Sequence, residues 1–201
     1  MKQPIVALAL ILIAHPVIAY GYNGTDIQQR DTYVGIRIHK NENIAFEYKP
    51  SVGDETTVRR DSFGIGGTFG NRLSDHITVE FETSYTGASQ SNFDYDIWSN
   101  MFNTYLFQEY SGAISPYIGL GIGFASIWGD ITTNEYQISD SAFDLSFQTM
   151  LGVNFALNER IDFNLGIKYQ YYGVLEHNKY GKTTADATEF YFGASYKFGL
   201  K

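Results

Sequence analysis

Chemistry in a protein of this composition has few carriers. The 201 residues include no cysteine and 4 histidines, one of them, His15, inside an apolar N-terminal run. Thiolate zinc sites, iron–sulfur centres, disulfide scaffolds and thiol nucleophiles are thereby excluded. The other histidines, His39, His76 and His177, form no pair at metal-ligand spacing. Gly119-Leu120-Gly121-Ile122-Gly123 lacks the lysine and spacing of a phosphate loop, so no metal or cofactor is expected. The formal net charge of −8 offers no basic patch for a nucleic acid. Asn23-Gly24-Thr25 matches a glycosylation sequon, an incidental match if the chain is bacterial. What remains is a set of charges two residues apart, Glu80 with Glu82 and Arg37 with His39, together with Asp144, Asp162, Lys168, Glu189 and Lys197. Spacing by two puts such pairs on one face of a strand, where opposite charges from different strands can meet.

The elements that position them are read from periodicity. From Phe143 to Phe155, the odd positions, apolar except for Thr149, alternate with Ala142, Asp144, Ser146, Gln148, Met150, Gly152 and Asn154. The pattern recurs in Ile161–Tyr172, Ile118–Ala125, Ile77–Tyr85 and Phe190–Phe198. Strands are predicted near 187–198, 161–172, 141–155, 116–128, 95–110, 76–86 and 58–70, with Thr32–His39 as the eighth. Ile44–Tyr48 is read as an upward extension of the first strand, pairing with Thr56–Arg60 across Pro50–Asp54. In the strand near 95–110, Trp98, Phe102, Thr104 and Leu106 share one face, but Tyr95, Ile97, Met101 and Phe107 lie on the other, which suggests a bulge. The linkers at 70–75, 111–115 and 156–160 are short, whereas 129–137 and 173–185 are longer and polar.

Residues 1–19 precede this pattern and differ from it. Lys2, the apolar run Ile5–Ala14, and Val17-Ile18-Ala19 before Tyr20 read as a secretory signal peptide cut between Ala19 and Tyr20. His15-Pro16 stops the run short of the roughly 20 residues a spanning helix needs. Residues 20–31 are expected to be an N-terminal periplasmic segment and 32–201 the barrel.

Strands of about 10 residues can cross a hydrocarbon layer when tilted, and an eight-stranded interior is only just wide enough for side chains. The large apolar residues of the 16 Tyr, 15 Phe and 2 Trp chain cannot all fit there, whereas the 20 glycines suit a crowded polar lumen. The fold class expected is therefore all-β: an antiparallel up-and-down transmembrane barrel of eight strands, apolar outside and polar inside. The charges of Arg37, Glu80, Glu82, Asp144, Asp162, Lys168 and Glu189 then point inward and must be paired; Glu80 and Glu82 are expected to meet Arg37 or Lys168. Tyr85, Trp98, Trp128, Tyr169, Tyr171 and Tyr196 are expected near strand ends as aromatic girdles, with Tyr33 of inward parity.

Three stretches carry a family likeness: Thr32-Tyr33-Val34-Gly35, Ser115-Pro116-Tyr117 with the alternating glycines through Ala125, and Phe190–Phe198. In these the chain resembles the eight-stranded outer-membrane β-barrel proteins of Gram-negative bacteria, including opacity-porin and outer-membrane protein A-like barrels of the porin family. The resemblance implies location in the outer membrane among lipid and lipopolysaccharide. It also implies that Phe190, Phe192, Tyr196 and Phe198 form a C-terminal signal for the barrel-assembly machinery. Among barrels of this architecture, lipid A deacylases use His, Ser and a carboxylate; here His76-Ile77-Thr78 is the nearest approach and no enzyme is expected. A structural or adhesin-like role through surface loops follows, in segments 50–57, 87–92, 129–136 and 173–184, with a host or matrix ligand as the candidate partner. The alternatives are a narrow ion or small-solute channel, or a secreted soluble barrel around an apolar ligand.

Overall fold

The computed structural model describes residues 32–49, 56–90, 93–108, 113–132, 137–177 and 181–198. The signal-peptide segment, the stretch 20–31, the last three residues and parts of the four proposed loop segments lie outside them. Eight strands form a closed antiparallel barrel in sequence order: β1 (Thr32–Lys49), β2 (Thr56–Arg72), β3 (Ile77–Gln90), β4 (Phe93–Phe107), β5 (Ile114–Thr132), β6 (Gln137–Ala156), β7 (Ile161–His177) and β8 (Gly181–Phe198). Closure is made by β1 and β8, from Thr32↔Phe198 to Lys49↔Lys182. It leaves no free edge through the body of the barrel, as lipid demands of any backbone it surrounds.

The body is apolar outside. Val34, Ile36 and Ile38 of β1, Phe102 of β4, Ile118, Leu120 and Ile122 of β5, and Phe147 and Leu151 of β6 are all exposed. Their alternates, among them Arg37, Glu82, Asn103, Gln148 and Lys168, are buried. This polarity excludes the soluble barrel, whose apolar residues would face inward. The turns at the end where β1 begins and β8 finishes are closed by short-range polar bonds. Ser74 Oγ accepts the Ile77 amide at 3.1 Å, and Asn158 Oδ1 accepts those of Arg160 and Ile161 at 2.8 and 2.9 Å, which is how Ser and Asn favour turns.

Every strand is 14 to 20 residues long, well beyond the roughly 9–11 that span a membrane. The excess lies at the far end, away from Thr32 and Phe198. Tyr85, Trp128 and Tyr169 are exposed, and Tyr85 packs edge-on against Trp98. The upper girdle therefore sits several residues below the strand tips. Beyond it, residues 129–132, 137–141, 173–177 and 181–185, read from the sequence as parts of long polar linkers or next to them, are strand, because pairing with neighbours satisfies their backbone.

Two bulges and two ladder breaks reshape this far end. β1 shifts register between Asn41 and Ile44, and β7 between Tyr171 and Gly173, where Gly173 takes φ 123°, a backbone region that disfavours a side chain. Among the described residues the β2–β3 ladder stops at Phe63↔Gly87 and the β6–β7 ladder at Phe147↔Tyr171, while the other ladders continue to the strand tips. Above these points the barrel is two four-stranded sheets, β7-β8-β1-β2 and β3-β4-β5-β6.

The expected bulge in β4 is not there. β4 runs in unbroken register from Phe93 to Phe107 against both neighbours. Tyr95 and Ile97 point inward because the lumen is itself apolar near the far end, and Met101, opposite Glu82, is buried lower down. The first-strand extension pairs as expected, Ile44↔Arg60 to Tyr48↔Thr56.

Candidate functional site

The centre of the lumen is built by β1, β3, β7 and β8. Arg37 Nη1 lies 2.7 Å from Glu82 Oε2 and 3.2 Å from Glu80 Oε1. Lys168 Nζ lies 3.3 Å from Glu82 Oε1 and 3.1 Å from Glu189 Oε2. Glu82 thus receives both cations, one on each oxygen. His39 stands between two carboxylates, Nε2 3.4 Å from Glu82 and Nδ1 3.3 Å from Glu189. Register explains the meeting: Lys168 is the direct cross-strand partner of Glu189, whereas Arg37 reaches β3 across the intervening β2, whose inward residue opposite it is Gly66.

Tyrosines complete the shell. Tyr33 and Tyr105 donate to Glu80 at 2.8 and 2.7 Å, and Tyr172 donates to Glu189. The guanidinium carbon of Arg37 lies 5.0 Å over the Tyr191 ring, a cation–π distance. Tyr117 and Tyr191 share a 2.7 Å bond. Their rings rest on glycines: a Cβ at Gly152 would stand 2.6 Å from the Tyr117 ring, and one at Gly166 2.5 Å from that of Tyr191. Each glycine is the register partner of its tyrosine. Glycine here seats an aromatic ring rather than simply leaving room.

The expected charges do not form one assembly. Arg37, Glu80, Glu82, Lys168 and Glu189 are brought together. Asp162 forms a separate pair with Lys197 at 3.0 Å, nearer the end with the short turns, with Asn154 donating to it at 3.2 Å. Asp144 stands apart from both: its Oδ2 accepts the Val174 amide at 2.9 Å, so it caps the β7 bulge instead of pairing a lumen charge. The bulge presents that amide, a tertiary feature with no mark in the sequence around Asp144.

Above the charges is a dry layer that periodicity did not isolate. Ile44, Tyr172, Ala185 and Ala187 from one sheet pack against Tyr95, Ile97, Ala125 and Ile127 from the other. The signal available was the inward parity of Tyr95 and Ile97. Ile44 escapes even that signal, because the β1 bulge changes which residues face inward. Outside this layer Lys40, Asp61, Asp96, Ser141 and Thr188 are exposed.

Phe190, Phe192, Tyr196 and Phe198 all lie on the outer face of β8, with Phe192 stacked on Phe163. His76 is at a turn, its Nδ1 3.3 Å from the Phe107 carbonyl. Among the described residues no cluster of three metal-ligating side chains occurs.

A closed eight-stranded barrel with an apolar outer band and a charged interior is an integral membrane barrel. The family model of the outer membrane protein beta-barrel domain matches residues 5–198, and the chain belongs to that family, which places it in a bacterial outer membrane. Solved structures of similar fold include Neisserial surface protein A, 16% identical over 83% of this chain and 97% of that one, TM-score 0.59. OprG of Pseudomonas aeruginosa is 16% identical over 86% and 97%, TM-score 0.59. Ail, the attachment invasion locus protein of Yersinia pestis, is 15% identical over 85% and 99%, TM-score 0.53. No curated protein matches the chain in sequence.

Proposed function

We propose that the chain is a non-enzymatic, non-conducting barrel of a Gram-negative outer membrane, whose role is structural or rests on contacts made by its far end at the cell surface. The observation that carries this reading is the doubly filled lumen. Ion-paired charges and tyrosines occupy its centre, and an apolar layer closes it above. An ion crossing would have to break buried ion pairs and then shed its hydration in the dry layer, each step costing several kcal/mol.

Orientation follows from the short turns, which such barrels keep on the periplasmic side. The far-end strands then stand among and above the lipopolysaccharide, and the outward aromatics of β8 are available to the barrel-assembly machinery during insertion. A Yersinia pestis Ail structure holds the heparin analogue sucrose octasulfate. The net charge of −8 here disfavours a sulfated polyanion and favours a neutral or basic protein surface as the host or matrix ligand.

Reconstitution in a planar bilayer tests the reading: no unit conductance is expected. Steady channels would overturn it in favour of a pore. Cells displaying the full chain should retain more of a basic matrix protein than cells displaying a barrel cut back to the girdle, and equal retention would leave only the structural role.

A further inference from the structure

The apolar outer face of the body carries a carboxamide, that of Asn100. The register row Ile36↔Gly67↔Thr83↔Asn100↔Phe124 runs across β1 to β5 on the side that meets lipid. Asn100 is half-buried in it and makes no side-chain hydrogen bond to the described residues. Its outward neighbours along β4 are Trp98 and Phe102, and its ladder partners are Thr83 and Phe124. The two of these that carry a polar group bond to each other: Trp98 Nε1 donates to Thr83 Oγ1 at 3.1 Å. Two residues of strand separate Asn100 from Trp98, which sets it about 5 Å below the girdle in a barrel whose strands tilt by roughly 40°. At that depth an unmet donor or acceptor is costly. Acyl chains offer neither, and the ester carbonyls above them only accept. Beside Asn100 the surface is hollow. Gly67 turns outward, and a Cβ placed there would meet nothing closer than the Thr83 methyl group at 3.9 Å, so a second body can approach the backbone closely.

We propose that two copies of the chain associate in the membrane through the outer face of β2–β4, with the Asn100 carboxamide of one bonded to that of the other. A carboxamide is its own complement. Set head to tail, each N–H meets the other's oxygen, and the arrangement has two-fold symmetry. A two-fold axis along the membrane normal relates two copies of the same orientation and brings Asn100 opposite Asn100 at equal depth. Polar side chains join membrane segments in this way, and small residues at the contact let the backbones come together. The contact lies on the lipid-facing wall and is independent of what the far end binds.

Energy transfer between labelled copies of the full chain tests this. The chain has no cysteine, so Leu157→Cys, at the exposed turn after β6, gives one dye site per copy, away from the proposed contact. In phosphatidylcholine vesicles, transfer should exceed that of randomly placed barrels, rise with the protein-to-lipid ratio, and disappear with excess unlabelled chain. Asn100→Leu should weaken the association about tenfold. Thr149→Leu, on the outer face of β6, should leave it unchanged. Asn100→Leu should melt no lower than the parent chain in dilute detergent, because it exchanges an unmet carboxamide for an apolar side chain, so its loss of transfer reports the contact and not the fold. Transfer at the random level, association of Asn100→Leu as strong as the parent's, or an equal loss in Thr149→Leu would each overturn the proposal. Transfer that vanishes once lipopolysaccharide is added to the vesicles would assign the carboxamide to the amides and hydroxyls of that lipid, and would overturn it as well.

Discussion

Below the aromatic girdle and above it, the same eight strands obey opposite rules. In the body, Phe102, Leu120 and Phe147 face outward and Arg37, Glu82 and Lys168 inward; at the far end Ile44, Ile97 and Ile127 are inside, and from the girdle upward Asp61, Asp96 and Thr188 are outside. The solvent makes the difference. Lipid offers nothing to a polar side chain and gains nothing from excluding an apolar one, so the body is held by backbone ladders and internal ion pairs. Water restores the hydrophobic effect, and the far end is organised as two sheets on a dry core. A strand that crosses the boundary keeps its inward face and changes what that face carries: β4 does so in unbroken register, whereas β1 shifts register at a bulge.

The largest effect should come from breaking the ion pairs of the body. Arg37→Met leaves Glu80 without a cation and Glu82 with Lys168 alone, and melting in detergent micelles should report a loss of about 3–5 kcal/mol. Adding Glu80→Gln should recover part of it; a fully additive loss would contradict coupling between the two. Truncation in the dry layer comes next: Ile97→Ala should cost about 2–4 kcal/mol by leaving a cavity, with amide exchange accelerated above the girdle and unchanged below it.

A lysine on the outer face separates the two regions directly. Phe102→Lys near mid-membrane should cost about 2–4 kcal/mol, and Thr188→Lys, opposite Tyr169 at the girdle, no more than about 1, both measured by urea unfolding from vesicles. Similar costs at the two sites would erase the boundary. Gly152→Ala should displace the Tyr117 ring for about 1–3 kcal/mol, visible as a loss of its bond to Tyr191. The smallest effect belongs to Asp144→Ala, about 1 kcal/mol, confined to faster exchange of the Val174 amide.

Much of the body is legible in the chain because a period of two is a local property. Phe143–Phe155 and Ile161–Tyr172 declare both the strand and its lipid face without any knowledge of partners. The pairing of Arg37 with Glu80 and Glu82 could be anticipated too, since buried charges of opposite sign on a shared lumen have few other options. Asp144 had the same parity and a different fate, because the β7 bulge offered it a backbone amide that no neighbouring residue announces. Tyr95 and Ile97 were misread as a sign of irregular backbone for a related reason: periodicity assumes one polarity from end to end.

Sequence alone determined that there are eight strands, which face of each meets lipid, and that the interior carries paired charge, since alternation and composition act within a single strand. Tertiary structure decided where the ladders part, which residues lie on the far side of a bulge, and hence that the lumen has a dry layer over a charged one. Register and closure are agreements between strands, and a bulge of one residue reverses every side chain beyond it.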